Sequence, residues 1–61
     1  MNADLRGALK KINKVWHLFE HKGKILGKEN VRKILEYGIK KGYESTNQLT
    51  DEDVENAIEG K

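Results

Sequence analysis

The stretch LGKENVRKILEYGIKKG, residues 26–42, constrains the fold more than any other, because a helix start, an apolar face and a stop signal occur in it together. Leu26 and Val31 have the N′ and N4 spacing of a hydrophobic staple around a cap at Gly27, and Gly42 can take the positive φ that ends a helix. At 100° per residue Val31, Ile34, Leu35, Gly38 and Ile39 fall within an arc of roughly 140°. Glu29 to Lys33 and Glu36 to Lys40 are i,i+4 pairs in the favourable order on the opposite side. A helix over 28–41 with one buried face follows.

Before it, Leu5, Ala8, Leu9, Ile12, Val15, Trp16 and Phe19 repeat at i, i+3, i+4, i+7, which predicts a first helix over about 3–22 capped by Asn2 or Asp4. Leu18 falls outside that apolar arc and reads as exposed. His21–Gly27 breaks the period with two glycines and reads as an ordered loop. After it, Leu49-Thr50-Asp51-Glu52-Asp53-Val54 is the clearest helix start in the chain. Thr50 is the cap, Asp53 stands at N3 of a capping box, Leu49 and Val54 form a staple, and three acids lie at the positive end of the dipole. A third helix over 51–59 is predicted, with Val54, Ala57 and Ile58 inward. The matching starts Leu26-x-x-Glu29-x-Val31 and Leu49-x-x-Glu52-x-Val54 follow from capping physics alone and need no duplication.

The fold class is therefore all-α. A compact three-helix domain over residues 1–61 is expected, a helix-loop-helix plus a short acidic C-terminal helix, with room for a minimal two-stranded pairing of Lys24–Leu26 with Tyr43–Ser45 between the two loops. The expected core is Leu5, Leu9, Ile12, Trp16, Phe19, Ile25, Val31, Ile34, Leu35, Ile39, Leu49, Val54 and Ile58. Sixty-one residues without cysteine leave helix packing as the source of stability. Gly38 interrupts the apolar face of the central helix, where glycine costs about 1 kcal/mol. That cost implies close approach of a bulky side chain, with Trp16 or Phe19 as natural candidates. On that reading leucine at position 38 disrupts the fold and alanine is tolerated.

Charge narrows the function. Residues 1–42 carry eleven Lys/Arg against four acids, and residues 43–61 carry one lysine against six acids. Such segregation serves a nucleic-acid face, a partner-docking face or attraction between helices within the fold. The absence of cysteine excludes thiol catalysis and thiolate metal sites. Ser45 is the only serine and has no evident base, and no glycine-rich phosphate loop occurs. An enzyme is not expected, nor a cofactor or a small-molecule substrate. The first twenty residues scatter Arg6, Lys10, Lys11 and Lys14 among the apolar positions. They resemble neither a signal peptide nor a membrane span, so a cytoplasmic protein without membrane contact is expected.

Two metal patterns fail on their chemistry. His17-Leu18-Phe19-Glu20-His21 spells H-x-x-E-H, the inverted zinc-peptidase motif, but it lacks a third ligand, and on a helix Glu20 points some 60–100° away from the imidazoles. Gly23, Ile25 and Glu29 fit the sixth, eighth and twelfth positions of an EF-hand loop, yet the first, third and fifth are then Leu18, Glu20 and Lys22. No metal is expected.

Recognition is the remaining class. Lys10, Lys14, His17 and His21 make a basic stripe on a continuous first helix, and Lys28, Arg32 and Lys33, with Asn30, stand at the start of the central one. The same first helix has the basic amphipathic character of a membrane-surface peptide, but its apolar face is needed as core. The expected function is a small non-enzymatic protein-interaction module that binds an acidic partner or another copy. The alternative is a nucleic-acid-binding accessory or regulatory protein that uses the basic faces of helices 1 and 2.

Overall fold

The structure, a computed structural model, describes residues 2–61. In chain order it comprises helix α1 (Leu5–Lys10), helix α2 (Ile12–Val15), a 3-10 turn (Trp16–Leu18), strands β1 (Glu20–His21) and β2 (Lys24–Ile25), helix α3 (Lys28–Lys40), a second 3-10 turn (Thr46–Gln48) and helix α4 (Asp51–Glu59). It is a mostly helical small domain with one minimal antiparallel hairpin. Helix α3 is the centre, with α1 packed on one side and α4 on another.

The two later helices lie where the capping signals put them. Gly27, at φ +85°, caps α3 without a side chain, and Asn30 donates from Nδ2 to the Leu26 carbonyl at 3.1 Å. At the other end Gly42 takes φ +86°, its N–H donates to the Ile39 carbonyl and that of Tyr43 to the Gly38 carbonyl, the paired bonds of a Schellman motif. In α4 the capping box is complete: Asp53 N–H donates to Thr50 Oγ1 at 3.0 Å and Thr50 N–H to Asp53 Oδ2 at 3.1 Å.

The first helix departs from the expectation of one element over 3–22. Asp4 caps it, accepting from Gly7 N–H at 2.7 Å, but α1 ends at Lys11, whose N–H is shared between the Gly7 and Ala8 carbonyls. The chain then passes through α2 and the 3-10 turn into extended backbone at Phe19. The break keeps the segment compact: twenty helical residues would span about 30 Å, whereas the longest dimension of the molecule is 25 Å. Breaking the helix lets Leu5, Ala8, Ile12 and Phe19 all reach the same core, so the apolar period survives although the single rod does not.

The hairpin is built on a two-residue turn in which Lys22 (φ +54°) and Gly23 (φ +80°) both have positive φ, as a type I′ turn requires. It pairs Glu20 with Ile25 and His21 with Lys24. The strand pairing is thus local to the first loop and does not join the two loops. Tyr43–Ser45 contributes instead to a junction with the N-terminal segment, where Asp4 and Ser45 form an isolated bridge. Thr46 N–H donates to the Ala3 carbonyl at 2.8 Å, Leu5 N–H to the Glu44 carbonyl at 2.9 Å, and Ala3 N–H to Thr46 Oγ1 at 3.0 Å.

Leu5, Ala8, Ile12, Phe19, Val31, Ile34, Leu35 and Ala57 are buried, and Leu9, Trp16, Ile39, Leu49, Val54 and Ile58 are half-buried. Ile25 is a correction: it is 58% exposed. Side chains alternate across a strand, and Ile25 shares the outward face with its partner Glu20. Leu18 is exposed, as its position outside the arc implied. Gly38 is closely approached, but by Leu5 and Leu49 and not by Trp16 or Phe19: a Cβ there would stand 2.8 Å from Leu5 Cδ1 and 3.4 Å from Leu49 Cδ2. No described helix is long and apolar enough to cross a membrane.

Candidate functional site

The residues singled out for recognition are distributed over separate elements. Lys10 ends α1, Lys14 belongs to α2, His17 to the 3-10 turn and His21 to β1, so they do not form a stripe along one helix. Lys10 and Lys14 are exposed. His17 is exposed too, with its ring edge-on to Trp16 at 5.9 Å between centroids. On α3, Lys28, Arg32 and Lys33 are exposed within the first two turns, while Asn30 is half-buried and held by its bond to Leu26.

His21 lies apart from this group. Its side chain is only 15% exposed and faces α4, with Nδ1 3.8 Å from Asp51 Oδ1 and Nε2 3.8 Å from Glu55 Oε2. Nε2 is buried and makes no hydrogen bond. His17 and His21 therefore do not stand one turn apart on a helix, and Glu20 projects from the opposite face of the hairpin to His21. Among the described residues no group of three His, Asp or Glu side chains is placed to hold a metal ion.

The acidic C-terminal helix is engaged by the rest of the chain. Lys22 Nζ is 3.0 Å from Glu55 Oε2, and this hydrogen bond raises the lysine above its usual pKa and holds the Glu55 carboxyl below its own. Asp53 is buried, 5% exposed. It accepts from the Thr50 backbone and from the Tyr43 hydroxyl, the latter at 3.1 Å, and Lys41 Nζ approaches Oδ1 to 3.6 Å. The Thr50 N–H chiefly, with the Tyr43 hydroxyl and Lys41, keeps this carboxyl below the ordinary range against the opposing effect of burial. Donating to Asp53 in turn pushes the Tyr43 hydroxyl up. Lys41, 5.6 Å from the Tyr37 ring centroid and 5.9 Å from that of Tyr43, is raised by Tyr37 first, then Tyr43 and Asp53.

The charge segregation is thereby divided into two parts. Asp51, Asp53 and Glu55 face groups of the hairpin and of the C-terminal end of α3. Among the described residues no carboxylate lies within 4.0 Å of Arg6, Lys10, Lys11, Lys14, Lys24, Lys28, Arg32, Lys33 or Lys40. Sequence reasoning identified the capping role of Asp53 but missed its burial under Tyr43 and Lys41. The only available signal was a tyrosine and a lysine flanking Gly42, and these read as a polar turn. Comparison with known proteins finds no matching family model, no matching curated protein and no matching solved structure.

Proposed function

We propose that this chain is a small non-enzymatic protein-interaction module that docks an acidic protein partner on the cation-bearing surface of α1, α2, the hairpin and α3. One observation carries the reading: among the described residues the lysines that α4 engages within 4.0 Å are Lys22, Lys41 and Lys61, so the other cations of the preceding elements stay free for an external anion. Exposed Leu18 and Ile25, at 51% and 58%, add apolar contact area beside Lys24, which suits a protein surface better than a phosphate backbone. Ser45 supports the non-enzymatic part. Its hydroxyl donates to Asn2 Oδ1 at 2.7 Å and serves as a cap, so it is engaged in structure. Cytoplasmic residence belongs to the same proposal.

Nucleic acid is the second reading, supported by the same free cations, of which Lys10, Lys14, Lys28, Arg32 and Lys33 are the principal candidates. It is disfavoured by the burial of Phe19 and the half-burial of Trp16 in the core, which leaves neither as a stacking platform. Amide NMR titration of the labelled protein with an acidic peptide, and separately with a short random-sequence DNA duplex, at low and physiological salt, distinguishes the two. Shifts at Lys24–Lys33 and Leu18 with the peptide that persist at physiological salt support the module. Salt-sensitive shifts with the duplex alone, abolished by charge reversal at Lys10 and Lys14, replace it with the second reading. Concentration-dependent shifts without either ligand reveal another copy as the partner.

A further inference from the structure

On the flank of α3 that meets the end of α4 lies an open groove of about 350 Å³, lined from α3 by Lys33, Tyr37 and Lys40. Small residues of α4 leave it open. Ala57 is buried and short, and a Cβ added at Gly60 would meet no atom within 4 Å.

Four donors border this groove without a partner. Lys33, Tyr37 and Lys40 recur at i, i+4 and i+7, which places them in one row along α3. Among the described residues no carboxylate lies within 4.0 Å of either ammonium, so the helical pairs of Lys33 with Glu29 and of Lys40 with Glu36 are not made. The hydroxyl of half-buried Tyr37 and the side-chain amide of half-buried Asn56 make no hydrogen bond among the described residues either. Lys41, 5.6 Å from the Tyr37 ring centroid, is committed to Asp53. A phenol and an amide, both half-buried and both unbonded beside one groove, suit a ligand that brings acceptors.

The charges define that ligand. Lys33 and Lys40 are about 10 Å apart along the helix axis, a distance that three residues of extended chain cover. Glu36 stands between them on the same rim and repels a negative charge at the middle of the groove. Lys61, at the α4 end, is paired with Glu59 at 3.2 Å. The complementary segment therefore carries an acid at each end and an apolar side chain between, received by Ala57 and the Tyr37 ring.

We infer that the acidic partner is anchored in this groove by an extended segment with two carboxylates three residues apart and an apolar residue between them. Lys33 and Lys40 take the carboxylates, and the Tyr37 hydroxyl and Asn56 amide donate to the same segment. The inference rests on the proposal that the partner is an acidic protein, and adds where and by what segment it is held.

The full chain, isotope-labelled, is titrated at millimolar concentration with two capped peptides of equal length and composition. In one, two glutamates flank a glycine and a leucine; in the other the glutamates are adjacent and the leucine lies outside them. The expected result is saturable amide shifts at Tyr37, Lys40, Asn56 and Gly60, with the spaced peptide binding about fivefold more tightly than the adjacent one. Tyr37→Phe removes a hydroxyl that the fold does not use, and Lys40→Gln alters an exposed side chain, so both should keep the spectrum dispersed. Each should weaken the spaced peptide about fivefold, as loss of one hydrogen bond to a carboxylate implies. Equal affinity for the two peptides overturns the inference, as does undiminished binding in both variants. Shifts confined to Leu18 and Lys24–Arg32 overturn it too, but leave the acidic-partner proposal standing. No saturable shift with either peptide removes both.

Discussion

Gly38 lies directly under Leu5, and a side chain added to it would begin 2.8 Å from Leu5 Cδ1. Leu5 is fully buried, so the methyl has nowhere to retreat. The glycine costs α3 about 1 kcal/mol of helix propensity and in return lets α1 sit against it. Overpacking typically costs about 1–3 kcal/mol, which exceeds that gain. Gly38→Ala should therefore destabilise by about 1 kcal/mol, and Gly38→Leu by more than about 3 kcal/mol. In a Leu5→Ala background the sign should reverse, with Gly38→Ala becoming stabilising. Urea denaturation of the four corners of that cycle measures it, and additive effects would show that the two residues are not coupled.

The α4 cap has a defined worth. Thr50→Ala removes the acceptor for Asp53 N–H and should cost about 1 kcal/mol, while Thr50→Ser keeps the oxygen and should cost a fraction of that. Thermal melts separate the two, and an alanine variant as stable as the serine variant would contradict the capping assignment.

Lys22 is the one non-glycine among the described residues with positive φ, at +54°. The left-handed region costs an ordinary residue about 1 kcal/mol, and asparagine before glycine is the preferred pair for this turn. Lys22→Asn should raise stability by about 1 kcal/mol, less whatever the exposed bond to Glu55 contributes. Glu55→Gln in the parent measures that bond separately. A destabilised Lys22→Asn with a harmless Glu55→Gln would mean that the turn is not strained.

Acid should loosen the molecule at α4. The Thr50 N–H lowers the pKa of Asp53, and the Lys22 ammonium lowers that of Glu55. A depressed carboxylate contributes stability that is present above its unfolded pKa, near 4, and is lost as pH falls through its folded one. The Tm should hold from neutrality to about pH 5 and then decline below about pH 4. Asp53→Asn should lower the neutral Tm and flatten the decline. An unchanged acid limb in that variant would assign the sensitivity to other groups.

The helices that could be read from the sequence are those whose information is local. Both ends of α3 and of α4 are written in adjacent residues, Gly27 and Gly42 for one and Thr50 with Asp53 for the other, so their boundaries follow from caps alone. The first helix has an apolar period but no local stop signal at Lys11, where it breaks, so adjacent residues do not mark its end. Ile25 was misplaced for a related reason. In so short a strand a hairpin register, and not hydrophobicity, decides which side chain faces inward. The candidate site fared likewise: exposure of Lys10, Lys14, Lys28, Arg32 and Lys33 is a local matter, whereas the turning of His21 toward Asp51 and Glu55 depends on where α4 docks.

The junction of the N-terminal segment with the turn after α3 bears on when this protein can assemble. Ala3 is held by Thr46, 43 residues further along, and Leu5 by Glu44. On a ribosome the first helix meets its main packing partner only when α3 has emerged, and its start is fastened later still, when Glu44 and Thr46 follow. A nascent chain stalled before α3 would present Leu5, Ile12 and Phe19 uncovered to whatever chaperone or protease is near.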